Sequence, residues 1–525
     1  MTRQVLLCIL SLLGLAGCVT QQPPKPTTPA PPAPPKVAPT PAKEAPPTSG
    51  PTPELHFPEV TRTQFDSGLE LNAIELNQLP VVDLKLVIRS GSADDPQDMP
   101  GTAQIVAAML KEGTRTMTSA QLAERVDFLG AHLWVDNDEE NIYIQMRALS
   151  EHLDEAMGLV ADLAMRPAFS GSELGKLRKR ELDRLALSQK DPNFLAAKEF
   201  YKRLYGDHPY AHVDTTEAVV RKIGVSHLKA FHRQHFMPNN ALLVGAGAVT
   251  ADELQAAAAK AFKGWRKGEA PTLDYPAPPT RAGREVVIVD RPESVQSVIL
   301  VGNLALRRDS PDYIPLRVAN QVLGGSAASR LFMDLREKQS LTYGAYSRVK
   351  ENVEISPFQA YAAVRNEVTA QAMAGFMKHL EAIRATATPA AELNNAKRFL
   401  IDQLPLRLDT ALKVVELMAE QRIYGLPDDY WQTFPTAIEG VTAQAAQAAA
   451  QKYIQADDAL IVVVGRAAAV KEALAAYGPV TVIDPSGKVL SQPESPKTPE
   501  QGATTAAPAA PAPSATEGTQ TEGTN

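Results

Sequence analysis

Between residues 55 and 484 two hydrophobic periods alternate along the chain. Segments such as Val82-Asp83-Leu84-Lys85-Leu86-Val87-Ile88 and Val295-Gln296-Ser297-Val298-Ile299-Leu300-Val301 interleave apolar and polar positions, as strands do when one face is buried. Long stretches with the 3.6-residue period of amphipathic helices separate them. Asn239-Asn240-Ala241-Leu242-Leu243-Val244-Gly245-Ala246-Gly247 is uniformly apolar after its turn and reads as a buried strand, followed by a helix reaching Phe262. The pattern returns at Asp457-Asp458-Ala459-Leu460-Ile461-Val462-Val463-Val464-Gly465, ahead of an Ala-rich helix over 468–477. Ala241 and Ala459 are 218 positions apart, and Glu173-Leu174 and Glu392-Leu393 are 219 apart, so one module is written twice. The mixture predicts an α+β fold, in each module an antiparallel-dominated sheet faced by helices. The modules fall at 55–263 and 283–484. Between them, 264–282 holds Pro271, Pro276, Pro278 and Pro279 and reads as a hinge linker.

Both ends depart from this pattern. Residues 1–18 carry Arg3, an apolar run over 5–13 and the sequence Leu15-Ala16-Gly17-Cys18, a secretion signal that matches the bacterial lipobox. The apolar run is too short to span a bilayer. Cleavage would leave Cys18 as a lipidated first residue, anchored to the membrane by acyl chains. Val19 follows, with no Asp to retain the chain at the inner membrane, so resemblance to lipoprotein sorting rules implies the periplasmic face of the outer membrane. The stretch 19–54 holds 14 of the 42 prolines and reads as an extended spacer, reaching up to about 100 Å at roughly 3.1 Å per residue. Residues 485–525 return to Pro, Thr, Ala, Gln, Glu and Gly and read as a disordered tail. The two cysteines are Cys8, which leaves with the signal, and Cys18, so the mature body has no thiol pair. A formal charge of −7 without a basic stripe argues against nucleic acid.

Candidate chemistry begins at 101–114, where Gly101-Thr102-Ala103-Gln104-Ile105-Val106-Ala107-Ala108-Met109 opens a short helix after Pro100 that closes at Gly113-Thr114. The segment resembles the zinc-binding helix of the M16 (pitrilysin/insulinase) peptidases, whose framework runs Gly-x-Ala-His-x-x-Glu-His-Met-x-x-x-Gly-Thr. Gly101, Ala103, Met109, Gly113 and Thr114 keep their places. Gln104 and Ala108 stand at the two His positions and Ala107 at the Glu position. Positions i, i+3 and i+4 share one helix face, which in the family aims two imidazoles and a carboxylate at one metal. A catalytic zinc needs three protein ligands and an open position for water. Alanine has no lone pair to give, and a neutral amide is a poor zinc ligand. The family's third ligand, a Glu on a later helix, maps by resemblance onto Arg184, 76 positions after Ala108; a slip of one residue would put Asp183 there. The resemblance thus implies no metal or other cofactor in this chain.

A second constellation is Ser329-Arg330-Leu331-Phe332-Met333-Asp334-Leu335-Arg336-Glu337-Lys338-Gln339-Ser340-Leu341-Thr342-Tyr343. It resembles the Ser-Arg-Leu-Phe…Leu-Arg-Glu-x…Leu-x-Tyr segment of M16 C-terminal modules, where an Arg and a Tyr seven residues apart reach the substrate. Arg336 and Tyr343 have that separation. A guanidinium fork and a phenol hydroxyl can both donate to a peptide carbonyl that gains charge. Arg330 and Tyr346 read as structural. His208 and His212 correspond to cavity wall, and His232 and His235, without a partner nearby in sequence, read as surface or capping residues. Some M16 peptidases are split over two chains, one with the metal helix and one without. The resemblance implies the second kind: half of a clamshell that closes on peptide substrates together with an M16 partner bearing zinc on an intact His-x-x-Glu-His. The alternatives are an envelope binding or scaffold protein that uses the fold without proteolysis, and an active metallopeptidase with rebuilt ligands.

Overall fold

The computed structural model describes residues 50, 55–270 and 275–492. The signal with Cys18, the spacer apart from Gly50, and the tail beyond 492 lie outside the described residues. Strands β1 (Val60–Gln64), β2 (Glu70–Glu75), β3 (Val81–Ile88), β4 (His132–Asn137), β5 (Ile142–Leu149) and β6 (Ala241–Gly247) form one sheet in the order β1-β2-β6-β3-β5-β4. Strands β7 (Glu285–Asp290), β8 (Gln296–Leu304), β9 (Thr342–Val349), β10 (Pro357–Arg365), β11 (Leu460–Gly465), β12 (Val480–Ile483) and β13 (Val489–Ser491) form a second, ordered β13-β12-β7-β11-β8-β10-β9. The runs β2-β6-β3-β5-β4 and β7-β11-β8-β10-β9 correspond strand for strand. In each, the first pair is parallel and the other three are antiparallel. The fold is therefore α+β, two tandem modules with antiparallel-dominated sheets. The uniformly apolar segments are β6 and β11, each paired on both sides and buried along its whole length.

The helices that cover these sheets are exchanged between modules. Helix Pro192–Tyr205, from the first half of the chain, lies on β8 and β11, where Phe200, Leu204, Val298, Leu300 and Val462 share one core. Helix Ala411–Ile423, from the second half, lies on β3 and β6. Each fully buried side chain of this kind contributes about 1.5–3 kcal/mol, so the exchange ties the modules together through their cores. It also changes the reading of β3. Apolar–polar alternation predicts solvent on one face, yet Asp83 is fully buried because the exchanged helix covers that face. Its carboxylate accepts three N–H bonds from Arg147, at 2.9, 3.2 and 3.1 Å. Burial pushes the Asp83 carboxyl up, against the lowering effect of Arg147.

Two boundaries differ from the sequence expectation. The fold runs past 484: β13 pairs with β12, and Lys471 Nζ lies 3.2 Å from Ser491 Oγ. Residues 485–492 therefore belong to the second sheet's margin, not to the tail expected from 485. The described parts of the 264–282 linker are fastened down. Trp265 is buried and donates its indole N–H to the Phe236 carbonyl at 3.1 Å, and the Tyr275 ring packs 5.1 Å from that of His208. Among the described residues no helix is long and apolar enough to cross a membrane.

Candidate functional site

Helix Thr102–Leu110 starts at a forced turn. Gly101 has φ +92°, and a Cβ there would stand 2.2 Å from the Thr215 Cβ, so both the left-handed backbone and the close approach require glycine. Asp95 caps the helix, accepting from the N–H groups of Gly101 at 2.5 Å and Ala103 at 2.7 Å. Burial pushes the Asp95 carboxyl up to about 7, more than these bonds lower it. Ala103, Ala107 and Met109 are buried, while Gln104 and Ala108 are half-buried one turn apart.

Arg184, on helix Gly171–Ser188, stands beside Gln104. Its Nη1 and Nη2 donate to the two oxygens of Asp214, both at 2.7 Å, and its Nε donates to Glu181 Oε2 at 2.7 Å. The Gln104 amide, oriented by its partners, donates to Asp214 Oδ1 at 3.1 Å and accepts from Arg184 Nη2 at 3.0 Å. Hydrogen bonding to Asp214 raises the Arg184 pKa, so the guanidinium is a permanent cation. Asp183 is exposed instead. The donor set does not fit zinc: an amide, two methyl groups and a cation surround the position, and both Asp214 oxygens are committed to Arg184. Among the described residues there is no group of three or more His, Cys, Asp or Glu placed to hold a metal ion. Gln104, Arg184, Asp214 and His212 line a hollow of about 590 Å³ together with Asp138 and Lys350.

Arg336 and Tyr343 meet at a separate hollow of about 380 Å³ that shares no lining residue with the first. Arg336 sits in the widened helical turn Phe332–Lys338, and its Nη1 donates to the Tyr343 carbonyl at 2.7 Å. The guanidinium carbon lies 5.8 Å from the Phe332 ring centre and 5.7 Å from that of Tyr343. Tyr343 is 87% exposed. Arg330 is pinned to Glu392 by two bonds of 2.8 and 2.6 Å.

The histidines depart from their sequence reading as surface residues. His235 is buried with its Nδ1 2.9 Å from Ser90 Oγ, and His232 is stacked on Phe236 with its Nε2 2.7 Å from the Ala164 carbonyl. Burial lowers both to about 4, so near neutral pH both are neutral, His235 in the core and His232 half-buried at its edge. They lie on the same helix as the apolar Leu228 and Phe231, which carries them inward. His208 is buried among Tyr205, Tyr210 and Tyr275, and burial lowers it to about 4 as well. Sequence reasoning missed Asp214 and Glu181. Glu181 carries one signal, its i, i+3 spacing to Arg184; Asp214 carries none.

Twin modules with exchanged helices, and a metal-helix face reduced to an amide and methyl groups beside a clasped guanidinium, define a metallopeptidase-type scaffold without its metal donors. Comparison with known proteins agrees. Residues 73–212 match the Insulinase (Peptidase family M16) family, and residues 222–400 match the Peptidase M16 inactive domain, together well over half of the chain. The chain belongs to peptidase family M16. It is similar to an M16 inactive-domain crystal structure from Pseudomonas fluorescens, at 27% identity and a TM-score of 0.74, over 78% of this chain and 98% of that one. It is 26% identical over 399 residues to an uncharacterized zinc protease of Mycobacterium bovis, covering 74% of this chain and 90% of the relative. It is 24% identical over 367 residues to the non-peptidase homolog YmxG of Helicobacter pylori, covering 70% and 84% respectively. A protease structure from Helicobacter pylori shares the fold at a TM-score of 0.73 and 17% identity, over 78% of this chain and all of that one.

Proposed function

We propose that this chain is the non-catalytic subunit of a two-chain M16 peptidase, made as an outer-membrane lipoprotein anchored at Cys18 and facing the periplasm. A zinc-bearing M16 chain with an intact His-x-x-Glu-His supplies the metal chemistry, and this chain supplies Arg336 and Tyr343 to the peptide. The observation that carries the reading is the clasp Gln104–Asp214–Arg184, which fills the metal-helix face with groups that satisfy one another. The exposed Tyr343 adds support, since its hydroxyl has no partner among the described residues. So do two similar proteins, an M16 inactive domain and a non-peptidase homolog.

Peptide turnover by this chain mixed with a zinc-bearing M16 chain from the same membranes tests the reading. The mixture is expected to cleave and the isolated chain not to. Arg336→Ala and Tyr343→Phe should each lower turnover by the hundredfold to thousandfold that removing one transition-state donor costs, about 2.7–4 kcal/mol. Unchanged turnover in both variants would end the shared-site idea. One observation favours the second reading, a binding or scaffold protein without proteolysis: Arg336 already commits two donors to its own chain, at the Tyr343 carbonyl and at Glu337. That reading predicts peptide retention with no cleavage in any mixture.

A further inference from the structure

The turn 138–141, between β4 and β5, carries three successive acids, Asp138, Glu139 and Glu140, and presses them against the second module. Glu140 Oε1 accepts from the backbone N–H of Val353 at 2.6 Å and of Glu354 at 3.4 Å, and from the Tyr210 hydroxyl. Glu139 is paired with Lys350. Asp138 holds the turn itself, accepting from the N–H groups of Glu140 at 2.8 Å and Asn141 at 2.7 Å, and from the Tyr143 hydroxyl at 2.5 Å. Tyr205 closes the contact from the first module with a 2.7 Å bond to the Ile355 carbonyl.

The charges around Glu140 do not balance. On its own turn stand Asp138 and Glu139. The facing loop brings Glu354, which Arg307 holds at 3.2 Å, and Lys350; Glu351 in the same loop is spent on Arg308 at 3.1 Å and Arg317 at 3.4 Å. The 209–211 turn contributes Tyr210, helix Pro192–Tyr205 contributes Tyr201 and Tyr205, and the linker contributes Tyr275. Asp94 stands behind Tyr275, Tyr424 follows the exchanged helix, and Lys85 lies on β3 near Asp138. Lys350 therefore faces Glu139 and Asp138 on the turn and is committed to Glu139, so it leaves Glu140 without a counter-charge.

We infer that this turn is a pH-sensitive latch between the modules, docked while Glu140 keeps its proton and loosened when Glu140 ionises among Asp138, Glu139 and Glu354. Burial, with Asp138 adding to it, pushes the Glu140 carboxyl up to about 7, more than its bond to Tyr210 lowers it, which puts the change near neutral pH. Asp138, Glu139 and Lys350 line the hollow beside Gln104 and Arg184, so loosening the turn moves one wall of that hollow. The latch is independent of whether a partner chain supplies zinc.

Hydrogen exchange of the full chain, corrected for the intrinsic rate at each pH, reads the latch at the Val353 and Glu354 amides. Their protection is expected to fall at least tenfold between pH 6 and pH 8.5, while amides of β6 stay protected. Glu140→Gln keeps the accepting oxygen and removes the titration, so its protection at these amides should be flat over the same range. Flat protection in the wild-type chain would overturn the latch on its own. An equal fall in Glu140→Gln would overturn the assignment to Glu140.

Discussion

If the clasp beside the metal helix is an energetic unit, Arg184→Ala must cost far more than loss of a surface charge. Asp214 has a side chain only 8% exposed and takes two guanidinium bonds, and Glu181, 13% exposed, takes the third. Removing the guanidinium leaves two largely desolvated carboxylates without a counter-charge, the neutral Gln104 amide reaching Asp214 alone. A buried pair broken from one side costs about 3–5 kcal/mol. Arg184 itself is 38% exposed, so water screens part of that interaction, and about 2 kcal/mol is the figure to expect. Arg184→Lys should fall between, because an ammonium cannot serve both Asp214 oxygens and Glu181 with the geometry of a fork. Urea unfolding of the wild-type chain, Arg184→Ala, Asp214→Ala and the double variant gives the coupling directly. A coupling near 2 kcal/mol supports the clasp. A coupling under about 0.5 kcal/mol, the range of ordinary additivity, would refute it.

Three further outcomes follow from other parts of the fold. Gly101→Ala should destabilise the first module by more than about 2 kcal/mol, since it combines a left-handed backbone with a Cβ 2.2 Å from Thr215, and thermal unfolding would show it. Arg308→Ala should cost about 3–5 kcal/mol in urea unfolding, because the buried Arg308 is bonded to Glu351 and to the Tyr430 hydroxyl, each at 3.1 Å, and lies 3.9 Å from the Tyr313 ring centre. Burial pushes the Asp94 carboxyl up to about 7 from its ordinary 3.8. A raised folded value favours the native state below pH 3.8 and costs stability as pH rises through 7. Asp94→Asn should therefore gain on the wild-type chain between pH 4 and pH 8, and a constant difference would count against it.

What the sequence shows of this molecule follows from what burial forces on it. Strands β6 and β11 are paired on both sides and packed on both faces, so they tolerate no polar side chain, and their identical pattern 218 positions apart exposes the duplication. A periodic pattern states which face of a helix is apolar but not what covers a given sheet. The exchange of helices 192–205 and 411–423 was therefore hidden, and Asp83 looked like a solvent position. The three-residue β13 lies in polar composition too short to carry a period.

The emptied metal face divides along the same line. Missing donors are a matter of residue identity, so Gln104, Ala107 and Ala108 can be read directly. Their compensation is a matter of folding, because Asp214 lies 30 residues from Arg184 and only the return of the chain past helix 171–188 brings the two together. Physically the two halves belong together. Asp214 is a nearly buried carboxylate, and burying one without a counter-charge costs several kcal/mol. With no imidazole at 104 and 108 to hold a metal cation there, the charge has to come from a side chain. Arg184 meets that need with a fork whose Nη groups serve both Asp214 oxygens while Nε reaches Glu181. Restoring His at 104 and 108 would thus place two imidazoles against a cation already in residence, and zinc affinity should not return unless Arg184 is replaced as well. Zinc retained by Gln104→His/Ala108→His with Arg184 in place would show that the guanidinium is not what fills the position.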